Sequence, residues 1–351
     1  MDKALTADSV PNPSGDLAGA VEAWITASVR GQFTHDDMVA RATAALQRLL
    51  INGTTTVRTH INVGDGIGAS YVRAVKEAAR ALDGLMDIQT VALTHQPITG
   101  TDGAGNRAAL AEALEVGVDF VGGCPHLDPD PRGLIDNAIA AATEAGIGID
   151  LHIDETLDAG MLTLPIYARA IRESGFPHPV SAGHCVSLSM QPVEVQRSVA
   201  KEVAAAGISV FPLPQTNLFL QGWAHPVAMP RGITPIDVLR EEGVLVAAGG
   251  DNVQDPFNPV GRSDALETAA LLIMAAHQLP HQALELVTNS PRRALGVPEV
   301  RMQVGDPADF VVIDAPSVRG AIADAPRTRR VFRHGRQVAS TIEHSSINVL
   351  R

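Results

Sequence analysis

The sequence predicts an α/β protein whose main body is a (β/α)8 barrel of the TIM type, followed by a small β unit. Short, β-branched apolar runs alternate with amphipathic helical stretches along the 351 residues, and successive runs lie roughly 30 residues apart. Repeated strand–helix units imply a parallel sheet, because each helix carries the chain back to the same edge. This many units on one chain favours a closed barrel. A doubly wound open sheet is the alternative.

The apolar runs predict seven strands, each followed by a polar segment or one that contains Gly or Pro. They cover residues 55–63, 88–93, 119–122, 149–153, 180–183, 209–213 and 245–249. Helices are predicted at 17–29, 36–51, 68–84, 105–116, 132–145, 160–174, 190–206, 234–242 and 261–279. The count is one strand short of the eight that a closed barrel of this type contains.

The pattern changes after Leu295. Residues 301–316 and 328–340 are short strand-like runs around glycine turns, without the helical stretches that separate the earlier strands. We therefore predict two units, a barrel of residues 1–296 and a small β-subdomain of residues 297–351.

Composition restricts the class of partner. The chain is 45% hydrophobic and 19% charged, as in a globular protein, and has no apolar run of the about 20 residues that a membrane span needs. The net charge of −12 without a basic stripe argues against nucleic acid. The first residues do not resemble a secretory signal, so a cytoplasmic location is expected. A small-molecule substrate is the partner that this composition favours.

Polar residues lie at the carboxyl end of the predicted fourth strand. In "IDLHID" (149–154) the apolar residues share one face, and the polar residues, including His152, share the other, which points inward in a barrel. Glu155 can join that polar face only if the strand ends near Ile153 and the chain bends. His60 lies on the corresponding polar face of "TVRTHINV". Polar side chains at these ends predict a site rather than a packed core.

Other strand ends carry residues of the same kind. His184 closes "VSAGH", Asp251 closes "VAAGGD", and His95 follows "TVAL". Imidazole and carboxylate groups from different strands are the ligand types of a Zn²⁺ or Fe²⁺ hydrolase. Such an ion lowers the pKa of bound water from 15.7 to about 7. Glu155 would then carry a proton to the leaving nitrogen.

Nearly the whole chain resembles the cytosine deaminase branch of the amidohydrolase superfamily, which includes N-isopropylammelide amidohydrolase-like enzymes. The resemblance rests on motifs that occur in the family's order. They are "THDDMVARA", "VRTHINV", "LHIDE", "AGHCVSLS", "LPQTNLFLQGW", "RGIT", "GGDNVQDPFNPVG" and "GDPADFVVID".

The resemblance implies one divalent metal, Zn or Fe, bound by His152 and Asp251. It further implies that Asp251 activates the metal's hydroxide, that His184 lies beside it, and that Glu155 protonates the substrate ring. Substrate-binding positions are expected at His60, His95, Gln96, Gln221, Asn252 and Phe257. A homo-oligomer is also consistent with the resemblance.

The chain departs from the family pattern at its beginning. The family has an H-x-H metal-ligand pair on the first barrel strand, usually followed by Leu-Asp-Lys, whereas this chain begins "MDKAL". Asp2 and Lys3 would directly follow that pair. We therefore expect the missing strand, which is the first strand of the barrel, to precede Met1.

Three substrate positions also differ. His95, followed by Gln96, stands where the family commonly has glutamine; Asn252 replaces an aspartate, and Phe257 replaces a tryptophan. These changes argue against cytosine itself as the substrate.

We therefore predict a metal-dependent hydrolase or deaminase that acts on C–N bonds of a cyclic amidine or amide. The substrate class is a small nitrogen heterocycle such as a pyrimidine, a triazine or a pterin-like ring. One alternative is a truncated or inactive relative without catalysis, because the H-x-H ligands are absent. Another is a hydrolase that removes an exocyclic alkylamine.

Overall fold

The computed structural model describes residues 1–347, which contain a curled six-stranded parallel sheet surrounded by helices. The strands are β1 (Thr56–Val63), β2 (Asp87–Thr94), β3 (Phe120–Gly122), β4 (Gly148–Ile153), β5 (Val180–His184) and β6 (Ser209–Phe211). Each strand pairs with its sequence neighbour, in the order β1 to β6. This arrangement confirms the predicted α/β fold of the TIM type.

The helices of the main body are more numerous than predicted. They are α1 (Leu17–Val29), α2 (His35–Ile51), α3 (Ser70–Arg80), α4 (Ala104–Val116), α5 (Pro131–Ala145), α6 (Leu164–Ser174), α7 (Val193–Ala205), α8 (Pro214–Leu220), α9 (Ile236–Glu241), α10 (Ala265–Ala276), α11 (Pro280–Val287) and α12 (Asn289–Ala294). Helices α8, α11 and α12 were not predicted, because each is eight residues or shorter and shows too little periodicity.

The seventh predicted strand, 245–249, is wrong as a regular strand. Val246 forms a single parallel bridge with Val210. The amide of Ala247 donates to the carbonyl oxygen of Val210 at 3.0 Å, so the segment lies along β6. The amide of Ala248 donates to the carbonyl oxygen of Leu286 in α11 at 2.7 Å, and no regular strand forms. The segment nevertheless brings Asp251 to the same end of the sheet as the ends of β4 and β5.

The core lies between the sheet and the outer helices. Ile149, Leu151 and Ile153 of β4 are fully buried on the outward face, as the alternation predicted. Burial of such a side chain stabilises the fold by about 1.5–3 kcal/mol. The polar side chains of β4 therefore lie on its opposite face, which points to the inside of the curled sheet.

The carboxyl-terminal part forms an antiparallel sheet of β7 (Phe310–Ile313), β8 (Arg329–Arg333) and β9 (Arg336–Thr341), with helix α13 (Val318–Asp324) between β7 and β8. The two strand-like runs predicted for this region are thus confirmed as a small β unit, although the helix was not predicted. The boundary between 296 and 297 stays a prediction. Across residues 1–347, no helix has the length and apolar character that crossing a membrane requires.

Candidate active site

Three histidines form a row at the carboxyl ends of the parallel strands. The rings of His60 on β1 and His152 on β4 meet edge to face, with centroids 4.5 Å apart, and the rings of His152 and His184 are 4.8 Å apart. Asp251 extends the row, because its Oδ2 atom lies 4.0 Å from Nε2 of His184. The structure therefore brings together the two predicted metal ligands and two of the predicted catalytic residues.

A bend after β4 brings Glu155 into this group. Asp154, which follows the last strand residue, has a φ of 51°, in the left-handed region. Its buried carboxylate accepts hydrogen bonds from the amide and hydroxyl of Thr163, at 2.9 and 2.6 Å, and from the amide of Leu164 at 3.0 Å. The bend leaves Oε1 of Glu155 3.5 Å from Nδ1 of His184.

The surroundings of Glu155 favour its protonated form. Burial and the nearby carboxylate of Asp251 raise its pKa well above the ordinary value, and Lys3 offsets only part of this shift. Gln221 donates from Nε2 to the main-chain oxygen of Glu155 at 3.0 Å. Within residues 1–347, Oε1 of Glu155 has no hydrogen-bond partner. Its side chain is therefore available to give a proton to a bound molecule.

His184 is oriented by Asn217. The Nδ2 atom of Asn217 lies 3.0 Å from Nδ1 of His184 and can only donate, so Nδ1 accepts and the ring proton lies on Nε2, toward Asp251. Burial, assisted by the other histidines, lowers the pKa of His184 to about 3. His184 is thus a neutral imidazole that presents an N–H group beside Asp251.

His152 and His60 have different surroundings. Burial, with the neighbouring histidines, lowers the pKa of His152 well below its ordinary value, and its Nδ1 has no hydrogen-bond partner in the described part of the chain. His60 instead has Nε2 3.3 Å from Oδ1 of Asp150, and Arg58 donates to Oδ2 of that carboxylate at 2.7 Å. Burial alone would raise the pKa of Asp150, but His60 and Arg58 hold it well below its usual range. Asp150 thus connects His60 to Arg58 in a buried polar network next to the row of histidines.

The predicted substrate residues that follow β2 lie at the same end of the sheet. The half-buried ring of His95 packs against Gly64, where a Cβ atom would stand 2.3 Å from the imidazole. Burial and the charge of Lys3 lower the pKa of His95. Gln96 donates from Nε2 to the main-chain oxygen of Thr94 at 2.7 Å.

The two predicted residues after Asp251 are held within their own loop. Asn252 donates to Oδ2 of Asp255 at 2.7 Å, and its Oδ1 lies 3.3 Å from the Thr216 hydroxyl. The ring of Phe257 faces Nζ of Lys3, 5.7 Å from the ring centroid. Substrate contacts by these two residues stay a prediction.

Sequence reasoning did not predict a functional role for Asn217 or His126. Asn217 lies in the "LPQTNLFLQGW" motif, which was the available signal. His126 follows β3 in "GGCPH", again at a strand end. In the structure it is 7% exposed, and neither ring nitrogen has a hydrogen-bond partner among residues 1–347. Burial lowers its pKa to about 4, which the nearby main chain of His152 offsets slightly.

A cavity of about 730 Å³ opens beside Glu155, between α1 and the loop that follows β4. Helix α1 forms one wall of the cavity, and His126 and Gln221 lie in the other. The lining residues are Asp16, Leu17, Ala18, Val21, Glu22, Ile25, Thr26, His126, Leu127, Glu155, Thr156, Asp158, Met161, Leu220 and Gln221.

Known proteins share the sequence pattern and the fold of this chain. The model of the amidohydrolase family matches residues 3–339, nearly the whole chain. This chain belongs to the amidohydrolase family. It is similar to the pterin deaminase of Rhizobium rhizogenes, with 32% identity over 347 residues, 96% of this chain and 78% of the relative. The N-isopropylammelide isopropyl amidohydrolase of Pseudomonas sp. is 25% identical over 313 residues, 86% of this chain and 73% of that protein.

A solved structure has the same fold over almost the full length. The 5-methylcytosine deaminase from Klebsiella pneumoniae, liganded with phosphonocytosine, superposes with a TM-score of 0.88 at 25% identity and covers 99% of this chain and 86% of its own. The prediction of an amidohydrolase that acts on C–N bonds of heterocycles is thus confirmed at the level of the family.

Amidohydrolases typically depend on a divalent metal. The residues of this site are of the types that bind such an ion. His152 offers a buried imidazole whose Nδ1 atom lacks a hydrogen-bond partner in the described chain. Asp251 supplies a carboxylate beside His184. Within residues 1–347, however, no group of three or more His, Cys, Asp or Glu side chains is arranged to hold a metal ion. These residues therefore supply part of a coordination sphere.

Proposed function

We propose that this amidohydrolase deaminates an aminated nitrogen heterocycle by hydrolysis. The single observation that carries the proposal is the position of His184 between two carboxyl groups of opposite character. The neutral Glu155 lies 3.5 Å from its Nδ1, and Asp251 lies 4.0 Å from its Nε2. An acid and a base on either side of a neutral imidazole are the groups that ring protonation and water activation need.

The residues act in sequence on the amidine carbon of the ring. Asp251 accepts a proton from the attacking water, whose oxygen adds to the carbon that bears the amino group. Glu155 gives its proton to the adjacent ring nitrogen, while the Nε2 proton of His184 hydrogen-bonds the new oxygen. Asp251 then returns its proton to the amine and the new hydroxyl reprotonates Glu155, so ammonia leaves and a ring carbonyl forms.

His152 and Asp251 are the residues that would hold a zinc or iron ion. When bound, such an ion lowers the pKa of a water molecule so that it can act as a nucleophile at neutral pH. Imidazole and carboxylate suit both metals.

The relatives favour a ring that carries an amino group next to a ring nitrogen. Pterin, 5-methylcytosine and N-isopropylammelide, which their names specify, share that cyclic amidine or amide. We place a pterin-like ring first, because the pterin deaminase combines 32% identity with 96% coverage of the chain. Release of an alkylamine from an exocyclic nitrogen is the second candidate, supported by the ammelide relative.

A panel of aminated pyrimidines, triazines and pterins, incubated with zinc- or iron-loaded protein, tests this proposal. Ammonia release from at least one ring is expected, whereas release of alkylamine alone supports the second candidate. No turnover of any ring by protein that retains metal would contradict both and favour a non-catalytic relative.

Replacement of the acid tests the assigned proton donor. We expect Glu155→Gln to lower kcat by about 10²–10⁴-fold, because the amide cannot deliver a proton. Metal content, by elemental analysis, and Tm should stay unchanged. Glu144→Gln, an exposed change on α5, is the matched control. Retained turnover in Glu155→Gln would refute the assignment.

A further inference from the structure

We infer that the cavity beside Glu155 is a specificity subsite for an uncharged or cationic substituent of the substrate ring, and that it rejects anionic substituents. This inference rests on the proposed function, because it places the reacting ring at Glu155. Its support is the size of the cavity, its walls, its charge and the unpartnered His126.

The size of the cavity and its position suit a ring substituent. Its volume of about 730 Å³ lies within the range of small-molecule pockets, and Glu155 and Gln221 line it directly. A ring that receives a proton from Glu155 therefore has open space next to it.

One wall of the cavity is an apolar stripe of α1. Leu17, Val21 and Ile25 recur at helical spacing and all line the cavity. Ile25 is 48% exposed although it belongs to this apolar stripe. An organic group that covers it would remove apolar surface from water.

The charge of the lining has one sign. Asp16, Glu22 and Asp158 all line the cavity, and the lining residues include no Lys or Arg. Neither Glu22 nor Asp158 forms an ion pair within residues 1–347. Asp16 caps α1 by accepting a hydrogen bond from the amide of Gly19 at 2.8 Å, so its charge and the helix amino end offset each other, and Glu22 and Asp158 supply the net negative charge. An anionic substituent would meet uncompensated negative charge in this cavity.

His126 marks the polar contact of the subsite. It lines the cavity, is more than nine-tenths buried, and has both ring nitrogens without a hydrogen-bond partner in the described chain. An unpaired buried polar group is costly, so such groups normally have a partner. An imidazole can donate from one nitrogen and accept at the other. A hydroxyl or amide on the substituent would satisfy this ring.

The experiment compares three ligands with one fluorescent pterin ring: the unsubstituted ring, a hydroxymethyl derivative and a carboxylate derivative. Kd is measured by quenching of the ring fluorescence, and kcat/KM by ammonia release, in metal-loaded protein at low and high salt. We expect the carboxylate to bind at least tenfold more weakly than the hydroxymethyl ligand, with a smaller gap at high salt because exposed charges are screened.

Variants separate the charge from the hydrogen bond. Glu22→Gln combined with Asp158→Asn should bring the carboxylate ligand to within about threefold of the neutral one, whereas Glu115→Gln, exposed on α4, should not. His126→Leu should weaken the hydroxymethyl ligand by about fivefold, the loss of one hydrogen bond. The effect is measured as the ratio of the Kd of the hydroxymethyl ligand to that of the unsubstituted ring, so that any effect on ring binding itself cancels.

The outcomes distinguish the two proposals. If the unsubstituted ring binds or reacts but the neutral and anionic derivatives have equal affinity, the subsite is wrong and the proposed function stands. If the acidic variants do not change the carboxylate's affinity, the subsite is also wrong. If no pterin binds or reacts, the proposed pterin-like substrate is wrong, and the subsite is rejected with it.

Discussion

At the scale of single residues, the site is organised by carboxyl groups whose protonation depends on burial. Glu155 and Asp251 belong to one small group, in which burial raises the pKa of Glu155 well above its ordinary value. The carboxylate of Asp251 lies 4.0 Å from Nε2 of His184. Asp255 shows the same effect in the loop after Asp251, where burial outweighs the hydrogen bonds from Asn252 and the Phe257 amide and raises its pKa to about 6. One end of the sheet thus contains at least two carboxyl groups with raised pKa values.

The raised pKa of Asp255 makes a specific contribution to the pH dependence of stability. The folded protein binds this proton up to about pH 6, whereas the unfolded chain releases it near the ordinary pKa of 3.8. The contribution is therefore full below pH 3.8 and is lost as the pH rises through 6; it amounts to about 3 kcal/mol in all.

We expect Asp255→Asn, which cannot titrate, to lack this dependence. Urea unfolding of both proteins between pH 4 and pH 7 measures the difference, and the free energy of unfolding of the native protein should fall relative to the variant as the pH rises. The exposed Asp83→Asn change is the control. Parallel pH profiles for the native protein and Asp255→Asn would show that Asp255 does not titrate in this window.

At the scale of elements, the end of β4 decides which side chains reach the site. Regular alternation would direct Glu155 away from the face that carries His152. The left-handed conformation of Asp154 breaks the alternation, and its bonds to Thr163 and Leu164 hold the returning loop against the start of α6. One buried carboxylate thus positions the residue that follows it.

Asp154→Ala should therefore affect both stability and catalysis. We expect a loss of about 3 kcal/mol in the free energy of unfolding, because three hydrogen-bond donors lose their acceptor. The kcat should also fall, since Glu155 is no longer held near His184. Asp154→Asn, which tolerates a left-handed φ and keeps one carbonyl acceptor, should recover part of both losses.

Urea unfolding and the ammonia assay measure these two effects, with the exposed Asp102→Ala change as the control. If the variant is destabilised but keeps full kcat, Asp154 does not position Glu155 for catalysis.

At the scale of the whole molecule, a buried ion pair joins the carboxyl-terminal sheet to the main body. Arg329 of β8 donates to both carboxylate oxygens of Asp264, at 2.9 and 2.7 Å, and to the main-chain oxygen of Asn52 at 2.8 Å. Asp264 also caps α10 through the amide of Leu266. The sheet is therefore attached at the point where α2 ends and α10 begins.

Loss of the Arg329–Asp264 pair should destabilise the carboxyl-terminal sheet more than the main body. We expect Arg329→Ala to cost about 3–5 kcal/mol, because it leaves a carboxylate without its partner. Hydrogen exchange should accelerate in β7–β9 and in the first turn of α10 before it does in β1–β6. Arg330→Ala, which alters the exposed neighbour of Arg329, is the control. Equal acceleration across the whole chain would show that sheet and main body unfold as one unit.

Local sequence patterns were sufficient to predict the six strands of the parallel sheet, the longer helices and the residue types of the site. Alternation with a period of two predicted which face of β4 is buried, and it located His152 at a strand end, because that pattern is local. The strand-end positions of His184 and Asp251 followed in the same way, since the carboxyl ends of parallel strands lie at one edge. The segment 245–249 lies along β6 as predicted but is not a regular strand, because the amide of Ala248 donates to Leu286 of α11.

Only the tertiary structure decided how these residues are used. The bend at Asp154, the orientation of His184 by Asn217, and the buried His126 without a partner depend on contacts between segments far apart in the chain. The wall that α1 contributes to the cavity is also such a contact. The burial of a side chain and the charges around it depend on all the segments that pack against it. A local sequence pattern therefore cannot predict them.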